Sequence, residues 1–197
     1  VGNSTTNDTK KMLKVVNQKY IPNKVLMLYP LEQNEPEIEE GYTPGLIGSL
    51  TSLHAHYYNR LWALGPSFER EMAEGIGEFV SEYRPGRDGL WTVRGGNESV
   101  RGGIIIDGRS TNQPGAQLRY FILDKALHGQ GLGRRLLEMA MAFSRQNGFE
   151  RVYLWTVDEL ESALYLYRDV GFEATDETDL HTGWETQVPY RLFEWRP

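Results

Sequence analysis

From residue 41 onward the apolar positions keep two rhythms, one of about 3.6 residues and one of about 2, and the switches between them mark out elements. Phe68, Met72, Ile76, Phe79, Val80 and Tyr83 fall at helical spacing and predict a helix that Ser67 can cap, after Gly65-Pro66 breaks the helix before it, and that Pro85-Gly86 ends. Ahead of it, a strand is expected at 44–50 and a helix at 53–62. Behind it, short apolar runs at 90–93, 103–107 and 117–123 read as strands, the first two joined by a hairpin turn at Gly95-Gly96-Asn97. Leu132, Leu136, Ala140 and Phe143 give a helix over 131–147 that Gly148 stops. The continuous apolar run 152–157 suits an interior parallel strand. A helix from about 160 ends at Gly171, and strands at 172–174 and 184–195 close the chain, with Pro189 confined to an edge or a bulge. The order is β-α-α, then β-rich, then βαβα, then β: an α/β fold.

The first 40 residues follow neither rhythm for long. Asp8 can cap a helix carrying Met12, Leu13, Val16 and Tyr20; Pro22 stops it, and 24–29 reads as a short strand. Charge splits here: residues 1–30 hold five lysines and one aspartate, whereas 31–40 hold five glutamates and no base. That second stretch, interrupted by Pro36, is expected to be a solvated linker, so 1–40 reads as an extension and acidic linker before a domain at 41–197.

Composition then excludes several chemistries. The 197 residues contain no cysteine, which removes disulfides, thiolate metal sites and a cysteine nucleophile; four histidines make a multi-histidine metal centre an unpromising expectation, so no metal is assigned. A net charge of −6 disfavours nucleic acid as a partner and leans toward cationic substrates. The uncharged stretches are too short and polar for a bilayer span, so no membrane partner is expected. No basic-then-apolar leader opens the sequence, which leads us to expect an intracellular location and to treat the sequons at Asn3, Asn7 and Asn97 as chance.

The chemistry concentrates in Gln117-Leu-Arg-Tyr-Phe-Ile-Leu-Asp-Lys-Ala-Leu-His-Gly-Gln-Gly-Leu-Gly-Arg-Arg-Leu-Leu137. A strand runs into a turn with glycines at 129, 131 and 133, and a helix begins inside it. Unpaired N–H groups and the positive dipole end at a helix start suit a pyrophosphate, with Arg134 and Arg135 beside it. The dinucleotide fingerprint fails, because Leu136 stands where its third glycine belongs, although Asp158 ends the next strand near where a ribose-binding acid would lie. A phosphate-bearing cofactor is expected; on these residues alone its identity stays open, a nicotinamide nucleotide included.

The stretch His128-Gly-Gln-Gly-Leu-Gly133 resembles the acetyl-CoA signature of the Gcn5-related N-acetyltransferase (GNAT) superfamily, with His128 in place of the usual Arg or Gln. A second block, Ala163-Leu-Tyr-Leu-Tyr167-Arg-Asp-Val-Gly171-Phe172, matches the same family, with Leu160 where an asparagine is common. The likeness spans about 42–196 and is similar in detail to acetyltransferase domains fused to MarR-type regulators, through Pro44-Gly45, His54, Tyr58, Leu118-Arg119 and Leu154-Trp155-Thr156. Residues 8–28 separately resemble the tail of spermatogenesis-associated thioredoxin-like proteins.

The resemblance implies a mixed, mostly antiparallel, twisted sheet of six or seven strands with about four helices, its fourth and fifth strands splayed at a bulge. It implies acetyl-CoA as cosubstrate, held by Phe121, Ile122, Leu123, His128, Gly129, Gln130, Gly131, Leu132, Gly133 and Arg134. It implies direct transfer to an amine, with Tyr167 as general acid rather than its neighbour Tyr165. For the base, His54 is the first candidate and Asp158 and Glu185 the next; Arg119 is expected to bind an acidic group of the substrate. A non-catalytic acyl-CoA sensor is the competing reading. The expected partners are the amine acceptor and, as an assembly to test, a second copy of the chain.

Overall fold

The structure is a computed structural model, and it describes residues 35–95, 99–109 and 114–197. The expected N-terminal helix and strand, the thioredoxin-like segment, the three sequon asparagines and Gly96-Asn97 of the hairpin turn lie outside the described residues.

Seven strands and four α-helices follow in the order β1 (Glu37–Glu40), α1 (Leu46–Trp62), α2 (Pro66–Glu82), β2 (Gly89–Arg94), β3 (Val100–Asp107), β4 (Ala116–Leu123), α3 (Leu132–Gln146), β5 (Val152–Thr156), α4 (Glu161–Asp169), β6 (Glu173–His181) and β7 (Val188–Trp195). One sheet holds all seven strands in the order β1-β2-β3-β4-β5-β7-β6. Only β4 and β5 pair in parallel among the described strands. This is the mixed sheet that the sequence resemblance implied.

Two expectations at the start of the domain need correction. The acidic segment is not solvated linker throughout: Glu37–Glu40 pairs antiparallel with β2, Ile38 packs on the core, and Arg94 bonds both Glu39 (3.1 Å) and Thr43 (2.9 Å). Nor is 44–50 a strand. Leu46, Leu50 and His54 are all buried at intervals of four, one stripe of a helix that Gly45 opens with φ +87°. At the other end, the strand expected at 172–174 runs over 173–181; the sequence rhythm gave only its first residues, because as an acidic, largely exposed edge it lacks an apolar face. Pro189 falls where β7 has run past β5, whose last partner on it is Arg191, so no hydrogen bond to β5 is lost there.

Alternate side chains send the core to both faces of the sheet. Trp91, Val93, Ile104 and Ile106 pack with α3, while Leu90 and Ile105 pack with α1 and α2. In β4 this alternation breaks. Leu118 belongs to the α3 side, yet Tyr120 and Ile122, of the same parity, belong to the α1–α2 side. The cause is a bulge: Ile105 faces Arg119 and Gly103 faces Ile122, so β4 spends one residue more than β3. Tyr120 sits in the left-handed region at φ 52°, a conformation that costs a non-glycine residue ~1–3 kcal/mol. Its hydroxyl accepts from Arg119 Nη2 at 2.6 Å, and the guanidinium stacks on its ring at 4.7 Å, which offsets part of that strain.

Candidate active site

The bulge opens the sheet. β4 and β5 pair only at Ala116–Val152 and Gln117–Tyr153, then part, so the β5-facing edge of β4 beyond Gln117 runs without a strand partner. The gap belongs to a cavity of about 1200 Å³. Single ligands usually occupy ~300–1000 Å³, so this space suits two substrates.

One end of the cavity is the glycine turn. After β4 a single 3-10 turn (Lys125–Leu127) is capped by Asp124, whose carboxylate accepts from Ala126 N–H at 2.9 Å. Gly129 (φ +76°) and Gly131 (φ +77°) then adopt a backbone that only glycine takes readily, and a Cβ at either would project into open space. Gly131 heads α3 without a side-chain cap, so the first amides of the helix point unpaired at the cavity. Backbone donors around empty space at a positive dipole end form a ready anion cradle, and the residues fit a diphosphate. Three of the side chains that the sequence implied here bond within the protein. Arg134 is engaged by Asp169, the His128 ring bonds Leu123 O at 3.0 Å, and Gln130, exposed, donates to Ala126 O at 3.2 Å.

Tyr167, on α4, also lines the cavity and is 6% exposed between Phe121 (ring centroids 6.1 Å) and Phe172 (5.9 Å). Burial, with the Tyr58 phenol nearby, pushes its hydroxyl well above the ordinary value, so it stays protonated. Tyr165, two residues earlier, is 63% exposed. The cavity is also lined by Tyr58, Phe68 and Met72 from α1 and α2, and by His181, Trp184 and Tyr190 from β6, β7 and their loop.

The base candidates fare unevenly. His54 lines the cavity, but its Nδ1–H donates to Leu50 O at 2.8 Å, and burial lowers its pKa to about 4, too weak a base to match an alkyl ammonium. Glu185 is no base: both oxygens accept backbone N–H groups, from Gly65 and Ser67 at 3.0 Å each, so it caps α2 from a loop more than a hundred residues away, and these bonds lower its pKa to about 2. Asp158 is exposed and paired with Arg191 at 3.0 Å; it borders a separate recess whose charges are largely matched internally. Arg119, expected to hold substrate, instead spends its charge on Tyr120 and on Asp107 (3.3 Å).

Sequence reasoning missed Glu71 and His181. Glu71 is a polar residue on a helix read for its apolar face, and His181 ends a strand of which the rhythm gave only the first residues. Among the described residues, no cluster of His, Asp and Glu could hold a metal ion, and no helix is long and apolar enough to cross a membrane.

Comparisons with known proteins agree with this architecture. A crystal structure of an acetyltransferase from Streptococcus agalactiae 2603 superposes with a TM-score of 0.61 at 24% identity, over 82% of this chain and 98% of that one. The structure of yncA from Salmonella typhimurium, solved with its cofactor acetyl-CoA, gives a TM-score of 0.59 at 16% identity, over 83% and 94%. The Escherichia coli (strain K12) protein named Uncharacterized N-acetyltransferase YjgM is 35% identical over 103 residues, 51% of this chain and 60% of that protein. The chain thus spans less than two thirds of the length of the curated relatives it matches. Residues 50–172 match the family described as Acetyltransferase (GNAT) family, a match that begins in α1, takes in the bulge, the glycine turn and Tyr167, and covers well over half the sequence; the chain belongs to that family.

Proposed function

We propose that the protein is an acetyl-CoA-dependent N-acetyltransferase that moves the acetyl group directly from the thioester to an amine. The observation that carries this reading is that one cavity joins the glycine turn of α3, the unpaired edge of β4 and the hydroxyl-bearing ring of Tyr167. The amides of residues 131–134 receive the diphosphate. The pantetheine arm lies along Phe121–Leu123, bonding the strand edge that β5 has left, as an added strand would. A backbone N–H of this edge faces the thioester oxygen; such a donor is worth ~2.7–4 kcal/mol in acyl transfer.

With acetyl-CoA bound, the acceptor nitrogen attacks the carbonyl carbon and the sulfur leaves as thiolate. Tyr167 gives it a proton. A free thiol titrates near ~8.5, below a buried phenol, but a thiolate leaving into the same apolar slot is desolvated too, which raises its own proton affinity and narrows the gap. The absence of cysteine agrees with transfer without a covalent enzyme intermediate.

Calorimetric titration with acetyl-CoA and turnover of the Tyr167→Phe variant test this together. The wild type binds acetyl-CoA and releases thiol with an amine; the variant binds equally well and loses about 10²-fold in kcat, the low end for general acid catalysis. Binding without turnover of any amine would make the protein an acyl-CoA sensor, and absence of binding would end the assignment.

A further inference from the structure

Resting on that reading, we propose that Glu71 and His181 form the acceptor site: they hold the ammonium of a primary amine carried on a flat apolar group, and take up the proton it must lose. Glu71, on α2, and His181, at the end of β6, line the same cavity as the glycine turn. The pair is built rather than accidental. Trp184 Nε1–H donates to Glu71 Oε2 at 2.7 Å, His181 Nε2 lies 3.5 Å from the same oxygen, and the His181 ring packs on Trp184 with centroids 3.8 Å apart. One carboxylate oxygen is thereby fixed, and Glu71 Oε1 has no hydrogen-bond partner among the described residues.

His181 Nε2 is covered and makes no hydrogen bond, an arrangement that costs free energy, with Glu71 Oε2 3.5 Å away; the ring itself is part-exposed, so a modest turn presents Nε2 to the cavity. A primary ammonium brings three donors, enough to serve the open Glu71 Oε1 and, after that turn, the imidazole. The charge balance selects the same ligand. Asp179 and Glu159 also line the cavity, whereas Arg119 and Arg134 on its wall are held by Asp107 and Asp169. An anionic acceptor would meet these carboxylates. The surrounding walls are rings, with Tyr58, Phe68 and Tyr190 beside Trp184, which favours a flat apolar body and rewards a cation over a ring face.

The step balances. One ammonium proton passes to the Glu71–His181 pair, and the freed lone pair forms the C–N bond to the thioester carbonyl of acetyl-CoA. The C–S bond breaks, its electron pair stays on sulfur, and Tyr167 supplies the proton that sulfur takes. The amide nitrogen sheds its second proton to solvent, from which Tyr167 is restored.

Steady-state kinetics with two acceptors test the assignment. 2-Phenylethylamine is a cation at neutral pH, and 4-ethylaniline is largely neutral with its lone pair free. Glu71→Gln keeps a carbonyl for the Trp184 N–H, and His181→Gln keeps a polar group of similar length. Glu71→Gln is expected to raise KM for 2-phenylethylamine at least tenfold, and His181→Gln to lower its kcat at least tenfold. Both changes leave 4-ethylaniline within threefold and the acetyl-CoA Kd unchanged. Equal losses on the two amines, wild-type kinetics in both variants, or acetyl-CoA binding by a wild type that does not acetylate 2-phenylethylamine would each overturn the proposal. A wild type that fails to bind acetyl-CoA sinks the acetyltransferase reading instead, so the two failures are told apart.

Discussion

At the scale of single residues, the same side-chain type does different work according to burial. His54 and His181 both line the cavity; His54 donates to a backbone carbonyl and is driven neutral by burial, whereas His181 Nε2 lies 3.5 Å from the Glu71 carboxylate. This has a thermodynamic consequence. Unfolded, the imidazole takes a proton near pH ~6.5; folded, it resists until about 4, so the unfolded state gains the proton first as pH falls. The contribution is therefore intact above pH ~6.5 and lost on acidification toward 4, up to ~3 kcal/mol for a fully buried ring. Urea midpoints measured from pH 7 to 4 are expected to fall more steeply in the wild type than in His54→Gln; parallel slopes would contradict it. Tyr167 and Tyr165 make the same point without titration, since two residues on a helix separate a core position from a solvent one.

Among elements, the glycine turn and the bulge divide the labour of the site. The turn was legible because glycine spacing is written in the sequence, and the structure adds that Gly129 and Gly131 combine a left-handed backbone with open space in front. Gly131→Ala places a Cβ there and demands φ near +77° of a residue that pays ~1–2 kcal/mol for it. Acetyl-CoA affinity is expected to drop at least tenfold by calorimetry while the circular dichroism spectrum is unchanged; equal affinity would show that the amides do not form the cradle. The bulge was not legible from residues alone. In β4 buried and half-buried positions alternate without interruption from Ala116 to Leu123, as in a regular strand. Only the register against β3 shows that the two halves of that pattern serve opposite faces.

For the whole molecule, the sheet's two edges are both acidic: Glu37, Glu39 and Glu40 on β1, and Glu173, Asp176, Glu177 and Asp179 on β6. Like charge on both edges opposes edge-to-edge pairing of copies. The β1 edge also belongs to the fold, through Ile38 and the Glu39–Arg94 pair. A chain beginning at Gly41 is accordingly expected to melt several degrees lower than one beginning at Asn34, since ~1 kcal/mol moves Tm by ~2–4 °C at this size; identical melting curves would argue that β1 is ornamental. The sequence by itself determined most of the alternation of helices and strands, the glycine turn and the exclusion of thiol chemistry, because each is a local property of residue type and spacing. The tertiary structure decided which acids and histidines share a cavity. Glu185 reaches a helix end 118 residues away, and Glu71 meets His181 across two elements. Partners so far apart in the chain are chosen by packing, which no local pattern encodes.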